Sequence, residues 1–230
     1  MIGGMLPKQF LNRREAGKRL AARLSEYADD VSILVLGLPR GGVPVAYEVA
    51  RALNAPLDVL VVRKLGVPGH RELAMGAIAS GGLRVLNRDV VDSQKITPAM
   101  IDSAAASEMQ ELERQQRTYR GNLPFPQLKG RTLIVVDDGL ATGSTMRAAV
   151  GALRQSSPGR IVVATPVAAS DTCRLLANEA DAVVCLSTPR DFLAVSTWYE
   201  DFSQTSDEEV RKLLLASVSS VEGRAEWRLP

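Results

Sequence analysis

Aromatic side chains make up only 4% of the 230 residues, and the chain carries one histidine and two cysteines. So few rings leave little material for a platform on which nucleic-acid bases stack. With His70 standing alone, neither a metal centre built on several imidazoles nor a Ser-His-Asp triad elsewhere in the chain is expected. Cys173 and Cys185 are too few and too far apart for a CxxC redox or zinc motif, so the expectation is two reduced, packed thiols in a cytoplasmic protein. No apolar run approaches the length that crosses a bilayer, and no long apolar segment follows the first charges, so neither export nor a membrane partner is expected. The formal net charge is only +2. That near balance, with no concentrated basic stripe, gives no reason to expect a nucleic-acid partner, although a pI of 8.6 does not exclude one.

What is present is a chain with 46% hydrophobic residues, enough for one substantial core. Short β-branched runs without polar alternation, Ile33–Leu36, Leu57–Val62, Leu133–Val136, Ile161–Thr165 and Ala182–Leu186, read as strands buried on both faces. Amphipathic stretches alternate with them: Phe10–Tyr27, Val45–Leu53, Thr97–Arg120, Met146–Leu153, Asp171–Asn178 and Ser206–Val218. The alternation predicts an α/β fold with a central parallel sheet flanked by helices. One domain is expected over 10–220, with frayed first residues and a loose tail over 221–230. The long helix Thr97–Arg120 packs on the domain or on a partner subunit, and a homodimer is expected.

The chain is organised around Thr132 to Met146, where an apolar strand stops at Asp137 and Asp138 and passes through Gly139-Leu140-Ala141-Thr142-Gly143-Ser144-Thr145 into a helix. Backbone N–H groups, hydroxyls and a helix N-terminus attract phosphate. Two adjacent carboxylates would repel that phosphate unless they face sugar hydroxyls or a divalent cation, so a phosphorylated sugar satisfies both halves. The plainer alternative is a Ser/Thr cap beside solvated acids. No Lys follows Gly143, so this is not a Walker loop.

Other strand ends repeat the theme. Gly37-Leu38-Pro39-Arg40-Gly41-Gly42 follows the first strand, and glycines around one Arg suit a backbone that approaches an anion while a guanidinium binds it. Arg63 and Lys64 follow the second strand as either a charge-neutralising pair or a solvated one. Residues 69–87 hold His70, Arg71 and Glu72, then a Gly81-Gly82 turn between Ala77–Ser80 and Leu83–Leu86, which reads as a β-hairpin lid. Four of the ten aromatic residues fall in 188–202, where Phe192, Trp198 and Tyr199 either line a ligand or anchor the C-terminal segment.

The segment Val-Val-Asp-Asp-Gly-Leu-Ala-Thr-Gly-Ser-Thr resembles the phosphoribosyl pyrophosphate signature of type I phosphoribosyltransferases, in the adenine-phosphoribosyltransferase version, and the whole chain is similar to bacterial members whose acceptor is unassigned. The resemblance covers about Ile33 to Phe202. It implies a type I phosphoribosyltransferase fold with a flexible β-hairpin lid over about 64–87 and a small hood from about 188–202 plus terminal segments. It implies Mg²⁺-dependent transfer of phosphoribosyl from phosphoribosyl pyrophosphate to a small-molecule nitrogen acceptor, in nucleotide metabolism. On this reading Asp137 and Asp138 hold the ribose hydroxyls, and Ala141, Thr142, Gly143, Ser144 and Thr145 bind the 5′-phosphate. Pro39, Arg40, Gly41, Arg63 and Lys64 take pyrophosphate. Arg40, Lys64, Asp137 and Asp138 carry catalysis, and Mg²⁺ is held mainly by substrate oxygens rather than by protein ligands. His70, Arg71 and Glu72 are lid candidates, and Phe192, Trp198 and Tyr199 face the base. The chain departs from the pattern at one point. Adenine enzymes carry a Glu late in the lid, where this chain has Ala77-Ile78-Ala79-Ser80-Gly81-Gly82, and oxopurine enzymes place an Asp where it has Ala141. That departure leaves the acceptor open and brings in a rival, a phosphoribosyl pyrophosphate-sensing regulator without turnover.

Overall fold

The computed structural model describes residues 9–219, except for the side chains of Arg71 and Ser219. The expected frayed start falls largely outside the described residues, and the expected tail lies wholly outside them.

A parallel sheet carries the fold. Its strands are β1 (Ile33–Gly37), β2 (Leu57–Val59), β6 (Thr132–Val136), β7 (Arg160–Val167) and β8 (Ala182–Ser187), in the order β2-β1-β6-β7-β8. Between β2 and β6 the chain leaves to build a second, antiparallel sheet from β3 (Val62–Val67), β4 (His70–Ala79) and β5 (Leu83–Leu86). The helices are α1 (Arg13–Arg23), α2 (Gly42–Leu53), α3 (Arg88–Ser93), α4 (Pro98–Arg120), α5 (Ser144–Arg154), α6 (Ser170–Ala177) and α7 (Asp207–Ser219).

The parallel strands are apolar on both faces because helices cover both. Ile33, Val35, Ile134, Val136, Val162 and Ala164 pack into one core with residues of α1, α2 and α7. Their neighbours of opposite parity, Leu34, Leu36, Leu133, Val135, Ile161 and Val163, join Met146, Ala149, Val150 and Leu153 of α5 in the other. This is the two-sided burial expected of strands in a helix-covered parallel sheet.

Two expectations from the sequence are corrected by the fold. The apolar run Leu57–Val62 is not one strand, because the chain changes sheets within it. Leu60 donates to Gly37 O at the edge of the parallel sheet, whereas Val61 donates to the hydroxyl of the buried Ser80 at 3.0 Å and Ser80 N donates back to Val61 O. A continuous apolar run carries no mark of such a switch. Arg63 and Lys64 consequently lie inside β3, not in a loop at a strand end, and the hairpin around Gly81 and Gly82 is enlarged into a three-stranded sheet. The second correction concerns the cysteines, which the structure pairs with each other across α6 and β8, their Cα atoms 7.5 Å apart. That span is wider than the roughly 4.4–6.8 Å of most disulfides. The turn after α6 brings the two together, which their sequence separation does not reveal.

Strand order locates the site. After β1 the chain crosses by α2 to β2 on one side, whereas β6 lies on the other side of β1 and leads by α5 to β7. Connections from β1 and β6 therefore diverge and leave a crevice between their carboxyl ends, the usual ligand position in such sheets. Gly37 and Val136 are register partners at that edge, so the loops that follow them are side by side.

Candidate active site

Asp137 and Asp138 begin where β6 ends. Asp137 turns its carboxylate back on the chain, and Oδ1 accepts the amide of Asp138 at 2.9 Å. Asp138 is nearly closed off, and its Oδ2 accepts from Arg13 Nε at 2.7 Å. The phenol of Tyr199 donates to the Asp138 carbonyl at 2.5 Å. Burial pushes the Asp137 carboxyl well above the usual carboxylate range, and the neighbouring Asp138 charge pushes it further. Asp138 is also raised by burial, against the opposing pull of Arg13.

The loop after the acids is pinned from the side. Leu140 N donates to Val167 O and Ala169 N to Leu140 O, which ties the loop to the end of β7. Thr172 of α6 donates through Oγ1 to Ala141 O at 2.5 Å. Gly143 adopts φ +65°, and a Cβ there would lie 2.4 Å from Thr172 Cγ2, so this position requires glycine twice over. The amides of Ala141, Thr142, Gly143 and Thr145 have no acceptor among the described residues, and they stand at the N-terminus of α5 with the hydroxyls of Thr142, Ser144 and Thr145. Such a set of donors cradles a phosphate dianion.

The glycine loop after β1 presses against the acids. A Cβ on Gly41 would meet Asp138 Oδ2 at 2.0 Å, and one on Gly42 would meet Val136 O at 2.6 Å. The Pro39–Arg40 peptide is cis. Arg40 reaches away from the sheet to Asp207 at the start of α7, at 3.7 Å, and Asp207 also accepts the Tyr119 hydroxyl at 2.9 Å. Burial and the Asp207 carboxylate together raise the Tyr119 phenol to about 12.

Other candidates are placed differently. Arg63 is held by Glu108 of α4, through Nε at 2.9 Å and Nη2 at 2.7 Å. Lys64 is exposed. With Arg63, Glu72, Ser103, Ser107, Glu108 and Thr145 it lines a cleft of about 950 Å³ between the antiparallel sheet and α4. His70 is exposed at the β3–β4 turn, and the side chain of Arg71 lies outside the described residues. Of the aromatic trio, Trp198 is 9% exposed and Tyr199 is closed to solvent, packed with Phe10, Ala16 and Val167. Phe192 is half-buried against the same group. Trp198 and Tyr199 thus have no face open to a stacked base in this conformation.

Sequence reasoning does not reach Arg13 or Thr172. Arg13 sits in the first turn of an ordinary amphipathic helix, 125 residues from the aspartate it binds, and no local pattern marks it. Thr172 shows no signal beyond being a hydroxyl near a helix start.

A crevice at a strand-order switch point, with paired carboxylates on one side and a hydroxyl-rich, amide-lined loop on the other, marks the candidate site of this α/β protein. A family model described as a phosphoribosyl transferase domain matches residues 8–203, and the chain belongs to that family. The crystal structure of TT1426 from Thermus thermophilus is 42% identical and superposes with a TM-score of 0.82, covering 90% of this chain and 98% of that one. "Putative phosphoribosyl transferase Rv0571c" from Mycobacterium tuberculosis is 48% identical over 203 residues, which is 88% of this chain and 46% of that relative. A relative of the same description in a second strain of that organism matches equally. The chain therefore spans about half the length of these curated relatives. Among the described residues, no helix is long and apolar enough to cross a membrane.

Proposed function

We propose that the chain transfers the 5-phosphoribosyl group of phosphoribosyl pyrophosphate to a nitrogen acceptor, a nucleobase or related compound, and releases pyrophosphate. One observation supports this above the rest: the acid pair and the amide-lined loop share the crevice at the end of β6, with the glycine loop of β1 in contact with Asp138. Family membership supports the transferase class.

The donor fits in one orientation. Its 5′-phosphate takes the amides and hydroxyls of Ala141 to Thr145, its ribose hydroxyls face Asp137 and Asp138, and its pyrophosphate follows Pro39, Arg40 and Gly41. Lys64 on β3 approaches the pyrophosphate from the antiparallel sheet, and His70, Arg71 and Glu72 travel with that sheet as it closes. Rupture of the bond from the sugar to pyrophosphate leaves a cationic sugar centre and an anionic leaving group, so fixed donors and excluded water lower the barrier. Arg63 joins the pyrophosphate only by leaving Glu108. Phe192 is the aromatic best placed to meet the acceptor, while Trp198 and Tyr199 support the hood.

The donor set is compatible with Mg²⁺. Carboxylate oxygens are the hard ligands this ion takes, and with Asp138 bound to Arg13 the cation would be held chiefly by substrate oxygens, with Asp137 and Asp138 reaching its water shell. Bound there, it would neutralise charge on the leaving pyrophosphate.

A second reading is favoured by a specific observation. Residues 77–82 hold no acid and position 141 is Ala, so the usual proton-transfer groups are absent and the pocket would suit a sensor of phosphoribosyl pyrophosphate. Calorimetric titration of phosphoribosyl pyrophosphate with Mg²⁺ into the wild type and Asp137→Asn/Asp138→Asn tests the shared pocket. Binding that weakens at least a hundredfold in the double variant is expected, and absence of wild-type binding overturns both readings. Pyrophosphate release in an acceptor screen then separates enzyme from sensor.

A further inference from the structure

Arg13 brings a part of the molecule far from the phosphate loop to bear on the acid pair. Its side chain is 12% exposed and is held on three sides: Nε donates to Asp138 Oδ2 at 2.7 Å, Nη1 donates to Ser203 O at 2.7 Å, and the guanidinium carbon lies 3.9 Å over the Phe202 ring. Phe202 rests on Tyr199 with ring centroids 5.0 Å apart, and Tyr199 is the residue whose hydroxyl binds the Asp138 carbonyl. Arg13 and Tyr199 therefore grip the side chain and the main chain of one residue. Gly41 presses on the same ion pair, since a Cβ there would be 2.0 Å from Asp138 Oδ2 and 3.2 Å from Arg13 Nε. Among the described residues Asp137 has no cation bonded to it, and its carboxylate accepts only the Asp138 amide.

From this asymmetry we infer that Arg13 is a positioning residue that fixes Asp138, and not Asp137, as the ionised acceptor for ribose hydroxyls, so that the hood sets affinity for the sugar separately from affinity for the phosphate. The inference rests on the phosphoribosyl reading of the pocket. A carboxylate that already takes one charge-assisted hydrogen bond has its remaining lone pairs aimed, and an ionised acceptor binds hydroxyls more strongly than a neutral acid. The loop over Ala141 to Thr145 is pinned by α6 and β7, and no hydrogen bond or ion pair joins it to Arg13 among the described residues.

The experiment measures Kd for ribose 5-phosphate and for inorganic phosphate, by calorimetry between pH 5.5 and 8.5, on the wild type, Arg13→Gln and Arg13→Lys (roughly the span in which perturbed carboxyls titrate). The expected result is a loss of tenfold or more in ribose 5-phosphate affinity for Arg13→Gln, with inorganic phosphate within twofold of wild type. Part of that affinity returns in Arg13→Lys. The pH at which ribose 5-phosphate binding reaches half its maximum moves upward in Arg13→Gln. Equal losses for both ligands would show that Arg13 merely supports the fold and overturn the inference, as would an unchanged ribose 5-phosphate Kd. If the wild type binds phosphate but gains nothing from the ribose, the phosphoribosyl reading falls, and this inference with it.

Discussion

Gly41 shows how much of the site depends on the absence of a single atom. Its backbone passes so close to Asp138 that a methyl group would occupy the carboxylate's place, 2.0 Å from Oδ2. Gly41→Ala must therefore displace either the loop or the Arg13–Asp138 pair. Overpacking of this kind costs about 1–3 kcal/mol, read as a lower urea midpoint with unchanged m-value, and affinity for phosphoribosyl pyrophosphate is expected to fall more than tenfold in the same variant. At this scale the sequence is informative where chemistry is local. The Asp137-Asp138 pair and the glycines around Arg40 announce themselves by residue type and spacing, because a phosphate cradle needs small residues and free amides in one short stretch. Arg13 is illegible for the opposite reason, since its partner is chosen by tertiary packing. The aromatic trio is visible as a cluster, but whether a ring faces a ligand or a core depends on the backbone turn that carries it.

Among the elements, α4 shows the clearest agreement between sequence and structure. Thr97 accepts the amide of Met100, Pro98 opens the first turn and Gly121 ends the helix with φ +62°, so each boundary has a residue-level cause. The strands next to it are harder to read, because Leu57–Val62 is apolar throughout while the sheet it belongs to changes midway. The small helix α3 leaves no trace in the pattern, being six residues long with no buried side chain to give it a periodic face. α4 also restrains the antiparallel sheet through Arg63 and Glu108, both about one-third exposed. For a pair this open, removal of the ion pair costs less than about 1 kcal/mol. Glu108→Gln is thus expected to lower the melting temperature slightly while tightening inorganic pyrophosphate binding a few-fold, because Arg63 becomes free to turn. Unchanged pyrophosphate affinity in calorimetry would make Arg63 a strut alone.

For the whole molecule, the acid pair places a charge where folding least favours it. Both carboxyls are raised above the usual value of 3.8, chiefly by burial. The folded chain therefore holds protons that the unfolded chain has released, and unfolding free energy falls as pH climbs from 3.8 through the raised range. Glu111, Asp181, Asp201 and Glu208 are shifted downward and tilt stability the other way, so the pair is isolated by comparison with a variant. Asp137→Asn is expected to gain in melting temperature relative to wild type as pH rises from about 4 to 7 in ligand-free protein, since one pKa unit corresponds to about 1.4 kcal/mol. A constant difference across that range, followed by scanning calorimetry, would show that Asp137 ionises as freely folded as unfolded.

The parallel sheet is complete once the chain has reached Ser187, yet the two groups that clamp Asp138 come from opposite ends of the sequence. Arg13 meets Ser203 across 190 residues, the widest separation among the side-chain hydrogen bonds described. A growing chain can pair β1 with β6 and seat α5 long before Tyr199 and Phe202 emerge from the ribosome. Contacts that close such long loops form late, after local ones have accumulated. The loop over Ala141 to Thr145 is thus in place early in synthesis, and the clamp on Asp138, which the proposed reading gives to the ribose, is finished late.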